Sequence, residues 1–160
     1  MLFRSGKVMK HILVTTDLSE AAESAFDYAK EQLKLAGKEN SKITLLKVIA
    51  SVPPASINFE YGLALPDKKG MLEKAYKHAS AQIQEIAEEQ FAGLPVETAV
   101  IKPKKAIYQE IINFAEENNV SLIVMSTHGR TGAKHFLLGS VAERVIRRSP
   151  CPIMIVPAKP

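Results

Sequence analysis

A single cysteine, Cys151, occurs in the 160 residues, so no internal disulfide can form. That suits a reducing compartment, and a cytoplasmic protein is expected. Set between Pro150 and Pro152 at the head of an apolar run, the thiol reads as packing rather than as a nucleophile. No run of about eighteen apolar residues exists, which excludes a membrane-spanning helix. Met1 to Met9 carries Arg4 and Lys7 but no apolar stretch of secretory length. Residues 1–8 are expected to be an N-terminal extension and residues 9–160 a single domain. Aromatic residues make up only 6% and do not interleave with the basic ones, so a net charge of +4 argues for an anionic ligand rather than for nucleic acid. Arg147 and Arg148 are assigned to the last turn of a helix, where cations are favoured.

Hydrophobic content of 46% with 24% charge describes an ordinary globular chain. Its pattern alternates strand and helix. His11 to Thr16 is a short, largely β-branched run, as in a strand covered on both faces. Asp17-Leu18-Ser19-Glu20 follows, with Asp17 or Ser19 as cap. Ala21, Ala25, Tyr28, Ala29, Leu33 and Ala36 then recur at helical spacing up to Gly37. Ile43 to Ile49 is a second strand. Ser51 to Gly70, with Pro53, Pro54, Pro66 and two glycines, reads as a long loop. A long helix from Met71 to Phe91 uses Leu72, Ala75, Tyr76, Ala79, Ile83 and Ile86 as its apolar face. Gly93 and Pro95 end it. Val96 to Ile101 is a third strand. A helix marked by Ile107, Ile111, Ile112, Phe114 and Ala115 closes at Asn118-Asn119. Leu122 to Met125 is the fourth strand, and Pro152 to Pro157 the fifth. Repeated βα units of this kind predict an α/β fold, a doubly wound parallel sheet with helices on both faces.

The chemistry concentrates after the fourth strand, from Met125 to Val141. Gly129 and Gly132 permit a tight turn, Arg130 and Lys134 add positive charge, and Gly139-Ser140 opens an amphipathic helix, with Ser140 as the expected N-cap. Amides at such a helix start welcome an anion, so the loop reads as a phosphate cradle, although it is neither a P-loop nor a dinucleotide fingerprint. In doubly wound sheets ligands sit beyond the strand ends at the switch in strand order. That rule selects Thr15-Thr16-Asp17 and Met125 to Gly129. Asp17 has two readings, a helix cap or a carboxylate for ribose hydroxyls and a phosphate-borne metal. Val48 is core, or offers its backbone to an adenine edge.

These residues resemble the universal stress protein family. The likeness rests on Ile12-Leu13-Val14-x-x-Asp17-x-Ser19-Glu20 and on Leu122 to Gly132. It continues through Leu138-Gly139-Ser140-Val141-Ala142-Glu143-Arg144-Val145 and ends with Ser149 to Pro157. It implies five strands in the order 3-2-1-4-5. In the ATP-binding subclass a Gly-x-x-Gly is followed by nine residues and Gly-Ser or Gly-Thr. Here that spacing is kept between Gly129 and Gly139-Ser140, but Ser126 replaces the first glycine. Thr15 stands where proline is frequent and Lys105 where glycine is common. The resemblance implies adenine against Val48 and the Thr15-Thr16 turn, with Asp17 at the ribose or at metal-linked phosphates. Met125, Ser126, His128, Gly129 and Arg130 would wrap the phosphates from one side, and Gly139, Ser140, Val141 and Ala142 from the other.

The expected ligand is thus ATP, or ADP or AMP, with Mg2+ or Mn2+, acting as a signal or structural ligand. No activated nucleophile or paired carboxylates appear, so at most slow hydrolysis is expected. The apolar strand Pro152 to Pro157 falls at a sheet edge, and the resemblance implies a homodimer through it. Two alternatives stand: a nucleotide-free dimeric scaffold of the same family, to which Ser126 points, and a flavin- or AMP-binding domain of a related sheet type.

Overall fold

Apolar, β-branched runs set the strands. The computed structural model describes residues 10–50, 68–127 and 138–158. Strand β1 (His11–Thr15) leads through helix α1 (Glu20–Ala36) to β2 (Lys42–Val48). Helix α2 (Lys68–Gln90) precedes β3 (Val96–Ile101), and α3 (Ile107–Glu117) precedes β4 (Leu122–Ser126). Helix α4 (Ser140–Arg148) and β5 (Ile153–Val156) complete the sequence of elements. All strand pairs are parallel, in the order β3-β2-β1-β4-β5. This is the expected doubly wound arrangement, and β1 is its centre.

Alternation along the strands divides the core into two layers. Ile12, Val14, Ile43, Leu45 and Val124 pack against Phe26, Ala29 and Leu33 of α1 and Ile83 and Ala87 of α2. Leu13, Leu46, Val48, Ile123 and Met125 face the opposite way, onto Ile111 and Ala115 of α3 and Ala142 and Val145 of α4. The direction in which successive strands are added across the sheet therefore reverses between β1 and β4, while the strands themselves stay parallel. β1→β2→β3 winds over one face, while β3→β4→β5 winds over the other.

Local signals place most boundaries. Ser19 caps α1 by accepting from the Ala22 amide at 3.4 Å, and Gly37 ends it at φ 87°, a left-handed dihedral that glycine adopts without cost. Asn118 and Asn119 close α3, with Asn119 left-handed at φ 51°. Two expectations need correction. Helix α2 starts at Lys68, three residues before Met71. Gly70 sits in its first turn, where a glycine interrupts little, rather than ending a loop. Residues 51–67 of the expected loop lie outside the described residues. In α1, Tyr28 is 47% exposed, and Ala22 and Phe26 are buried instead. The apolar stripe runs through positions 22, 25, 26, 29 and 33, and position 28 lies about a third of a turn from its centre.

At the N-terminal end of β1 a polar group is buried with its partners. The His11 ring donates from Nδ1 to the Asn118 carbonyl at 2.9 Å, which leaves Nε2 to accept from the Thr44 hydroxyl at 2.8 Å. Ser121 meets the His11 backbone twice, accepting from its amide and donating to its carbonyl.

Candidate functional site

The C-terminal ends of β1, β2 and β4 open onto a crevice of about 390 Å³. Its apolar wall combines Leu46 and Val48 of β2, Ile107 and Ile111 of α3, Met125 of β4 and Ala142 of α4. Its polar side carries Thr15, Thr16, Asp17, Lys47, Ser126, Thr127, Gly139 and Ser140. A cavity divided in this way takes a ligand with one flat apolar part and one polar or anionic part.

The turn after β1 is held by its own side chains. The Thr16 amide donates to the Leu46 carbonyl at 2.9 Å, and the Thr16 hydroxyl accepts from the Leu18 amide at 2.9 Å. Asp17 Oδ1 accepts from both the amide and the hydroxyl of Ser19. Of the two candidate caps, Ser19 is therefore the N-cap, and Asp17 braces it from the crevice rim. Leu18 between them is left-handed at φ 68°, a conformation that costs a branched residue about 1–2 kcal/mol. Its side chain is repaid by packing against the α1–α2 layer.

Across the crevice, β4 ends at Ser126, and the Thr127 amide donates to the Val156 carbonyl at 2.9 Å. Thr127 in turn accepts the Gly139 amide at 2.8 Å through its carbonyl. A Cβ added at Gly139 would stand 3.0 Å from that oxygen. Close approach rather than dihedral thus calls for glycine here, since φ is −60°. Gly139, not Ser140, is the N-cap of α4, and Ser140 is its first helical residue. The expectation fails because the chain turns where Gly139 meets Thr127, one residue earlier. The Gly139 carbonyl then accepts from the Glu143 amide at 3.0 Å. The first amides of a helix lack intrahelical acceptors and sit at the positive end of its dipole. In α4 these belong to Ser140, Val141 and Ala142, all on the crevice wall.

Nine of the sequence-selected residues other than Ala142 therefore meet at this crevice: Thr15, Thr16, Asp17, Val48, Met125, Ser126, Gly139, Ser140 and Val141, and Ala142 joins them. His128, Gly129 and Arg130 lie outside the described residues. Ser126 is not left-handed; among the described non-glycine residues only Leu18 and Asn119 are. The serine that replaces a glycine thus carries no backbone penalty. Lys105 is exposed and is not among the described lining residues; its amide and that of Lys104 both donate to Glu110 Oε1 at 2.7 Å. Sequence reasoning missed Lys47, which is 8% exposed and donates from Nζ to the Asp17 carbonyl at 3.3 Å. The signal was a lone lysine within a buried strand, a place where lysine is rarely found unless paired. Cys151 is half-buried against the α3–α4 layer, and burial pushes its thiol above the ordinary range.

A doubly wound parallel sheet with its crevice at the β1/β4 switch point defines the class. The sequence pattern of the Universal stress protein family matches residues 9–157, and the chain belongs to that family. Universal stress protein MJ0531 of Methanocaldococcus jannaschii is 31% identical over 97% of this chain and 86% of its own length. The solved structure of MJ0577, from the same archaeon, is similar at 30% identity with a TM-score of 0.76, covering 96% of this chain and 99% of that one. At 20% identity and a TM-score of 0.57, a universal stress protein solved in complex with cAMP shares the fold, over 94% and 98% of the two chains.

Proposed function

We propose that this protein binds an adenine nucleotide, ATP or its ADP or AMP relatives, in the β1/β4 crevice and uses it as a signal or structural ligand. The observation that carries the reading is the meeting of Asp17, the apolar wall at Val48 and the N-terminus of α4 in one cavity. Adenine would lie against Val48, Ile111 and Ala142, ribose near Asp17, and phosphates at the amides of Ser140 and Val141. Binding of cAMP by a protein of the same fold supports it. Among the described residues no three His, Cys, Asp or Glu side chains cluster as a metal site. A Mg2+ or Mn2+ ion would then arrive on the phosphates, with Asp17 as the carboxylate at hand. Hydrolysis would be slow at most, because the described crevice residues include no base set against a nucleophile. We assign a homodimer through the β5 edge to the same proposal.

Gentle purification, acid release and chromatography test the reading. Recovery of ATP or ADP near one per chain is expected, with Asp17→Ala and Gly139→Asp emptying the site. Absence of nucleotide, together with no thermal shift on adding Mg-ATP, overturns it in favour of a nucleotide-free dimeric scaffold.

A further inference from the structure

Lys47 is buried at the penultimate position of β2, on the crevice wall. A buried ammonium is costly unless it meets acceptors, and this one donates to the backbone carbonyl of Asp17. That carbonyl belongs to the turn in which Leu18 is left-handed. Four further bonds hold the same turn: the Thr16 amide to the Leu46 carbonyl, the Leu18 amide to the Thr16 hydroxyl, and the amide and hydroxyl of Ser19 to Asp17 Oδ1. Left alone, a leucine would leave this dihedral for the right-handed or extended regions. Such a relaxation would carry the Asp17 carboxylate, one residue earlier, away from its place at the rim.

We infer that Lys47 is a positioning residue for the nucleotide: from β2 it clamps the Thr16–Ser19 turn and so sets where the Asp17 carboxylate stands. The inference rests on the nucleotide reading above. A clamp built into the folded chain removes the ordering cost that a loose turn would add to binding. It also explains why a lysine occupies a strand position whose neighbours Leu45, Leu46 and Val48 are all buried and apolar.

A double-mutant cycle separates this role from simple support of the fold. Calorimetric titration with Mg-ADP is run on wild type, Lys47→Met, Leu18→Gly and the double variant. Amide hydrogen exchange at Leu18 and Ser19 is followed without nucleotide. Lys47→Met is expected to weaken ADP binding about tenfold, the loss of one charge-assisted bond, and to speed exchange at both amides. Glycine tolerates the left-handed dihedral, so in the Leu18→Gly background the same substitution is expected to cost less than about threefold. Additive losses, or unchanged exchange at Leu18 in Lys47→Met, overturn the inference. If Lys47→Met does not fold, Lys47→Gln, polar but too short to reach the carbonyl, takes its place in the cycle. A wild type that binds no ADP overturns the nucleotide reading instead, and the exchange rates still decide on the clamp.

Discussion

The carbonyl of Thr127 accepts the Gly139 amide at 2.8 Å, and the same oxygen stands 3.0 Å from where a side chain at position 139 would begin. One short contact therefore joins the end of β4 to the start of α4 and fixes the depth of the crevice between them. Gly139→Ala is expected to push these segments apart by a few tenths of an ångström. We expect a stability loss of about 1 kcal/mol, since the φ of −60° suits alanine and only the contact is strained. Nucleotide affinity should fall further than stability does. Thermal unfolding and ADP titration of the one variant measure both, and an unchanged affinity would contradict the assigned geometry.

Ser126 replaces a glycine of the family pattern without adopting a glycine dihedral. Ser126→Gly is therefore expected to change ADP affinity by less than about threefold, within the range of ordinary surface substitutions. Ser126→Leu, which fills the crevice mouth, should abolish binding. A large gain from the glycine variant would show that the hydroxymethyl group crowds the phosphates.

Stability should fall on mild acidification because of His11. Burial is the leading influence and pulls its imidazole below the ordinary value of 6.5, against the raising effect of the bond to the Asn118 carbonyl. The unfolded chain thus takes up this proton at a higher pH than the folded one. His11's contribution is complete above 6.5 and is lost as pH falls below it toward the depressed folded value. Protonation would also turn Nε2 into a donor and force the Thr44 hydroxyl to reverse. Urea unfolding between pH 7.5 and 5 measures the slope, and His11→Asn should flatten it.

Phe26 of α1 and Phe91, just beyond α2, meet edge to face with centroids 5.2 Å apart. Lys30 lies over the Phe91 ring at 5.3 Å. Both rings are about 1% exposed, so Phe26→Ala should cost about 3–5 kcal/mol. Phe26→Leu, which keeps most of the volume, should cost about 1.5 kcal/mol or less. Denaturant midpoints at constant slope provide the comparison.

In a parallel strand, amide and carbonyl of each residue point to the same side, and the sides alternate. The Pro152 carbonyl accepts from Ile123 of β4, and the Val156 carbonyl from Thr127 just beyond it. The backbone of Ile155 therefore faces away from the sheet. Ile155→Pro removes an outward amide and leaves the β4 ladder intact. Light scattering of the eluted protein should show a dimer for the wild type and a monomer for this variant; a dimer in both would move the interface off the β5 edge.

Sequence reasoning carried some features further than others. Val96–Ile101 matches the expected strand to the residue, because a partly alternating run between Pro95 and Lys102-Pro103 is bounded on both sides by residues that stop a strand. The doubly wound class followed from alternation, whereas the strand order came from the family resemblance. Asp17 and Met125 could be placed at the site because strand ends at a switch point gather there whatever the side chains, and Gly139 because it opens the helix that follows β4. Lys47 could not, since its importance depends on a carbonyl thirty positions earlier in the chain. Nor does a leucine advertise a left-handed backbone: Leu18 sits in a turn bonded by Thr16, Ser19 and Lys47. The start of α4 was misplaced by one residue for a similar reason, since Ser140 is the better local cap and Gly139 the better neighbour for Thr127.

The division of the core into two layers has a consequence for synthesis of the chain. The helices over one face, α1 and α2, leave the ribosome before β3, while the other face waits for α3 and α4. Until then Leu13, Leu46 and Val48 have no cover, and β1 lacks its β4 neighbour. His11 and Ser121, which bond in the finished sheet, are 110 residues apart. A nascent chain halted after β3 would present one apolar layer still lacking Leu122, Val124 and Val156 and one bare one, together with an unpaired strand at its edge. That half-built sheet is a target for chaperones, and a hazard when translation stalls.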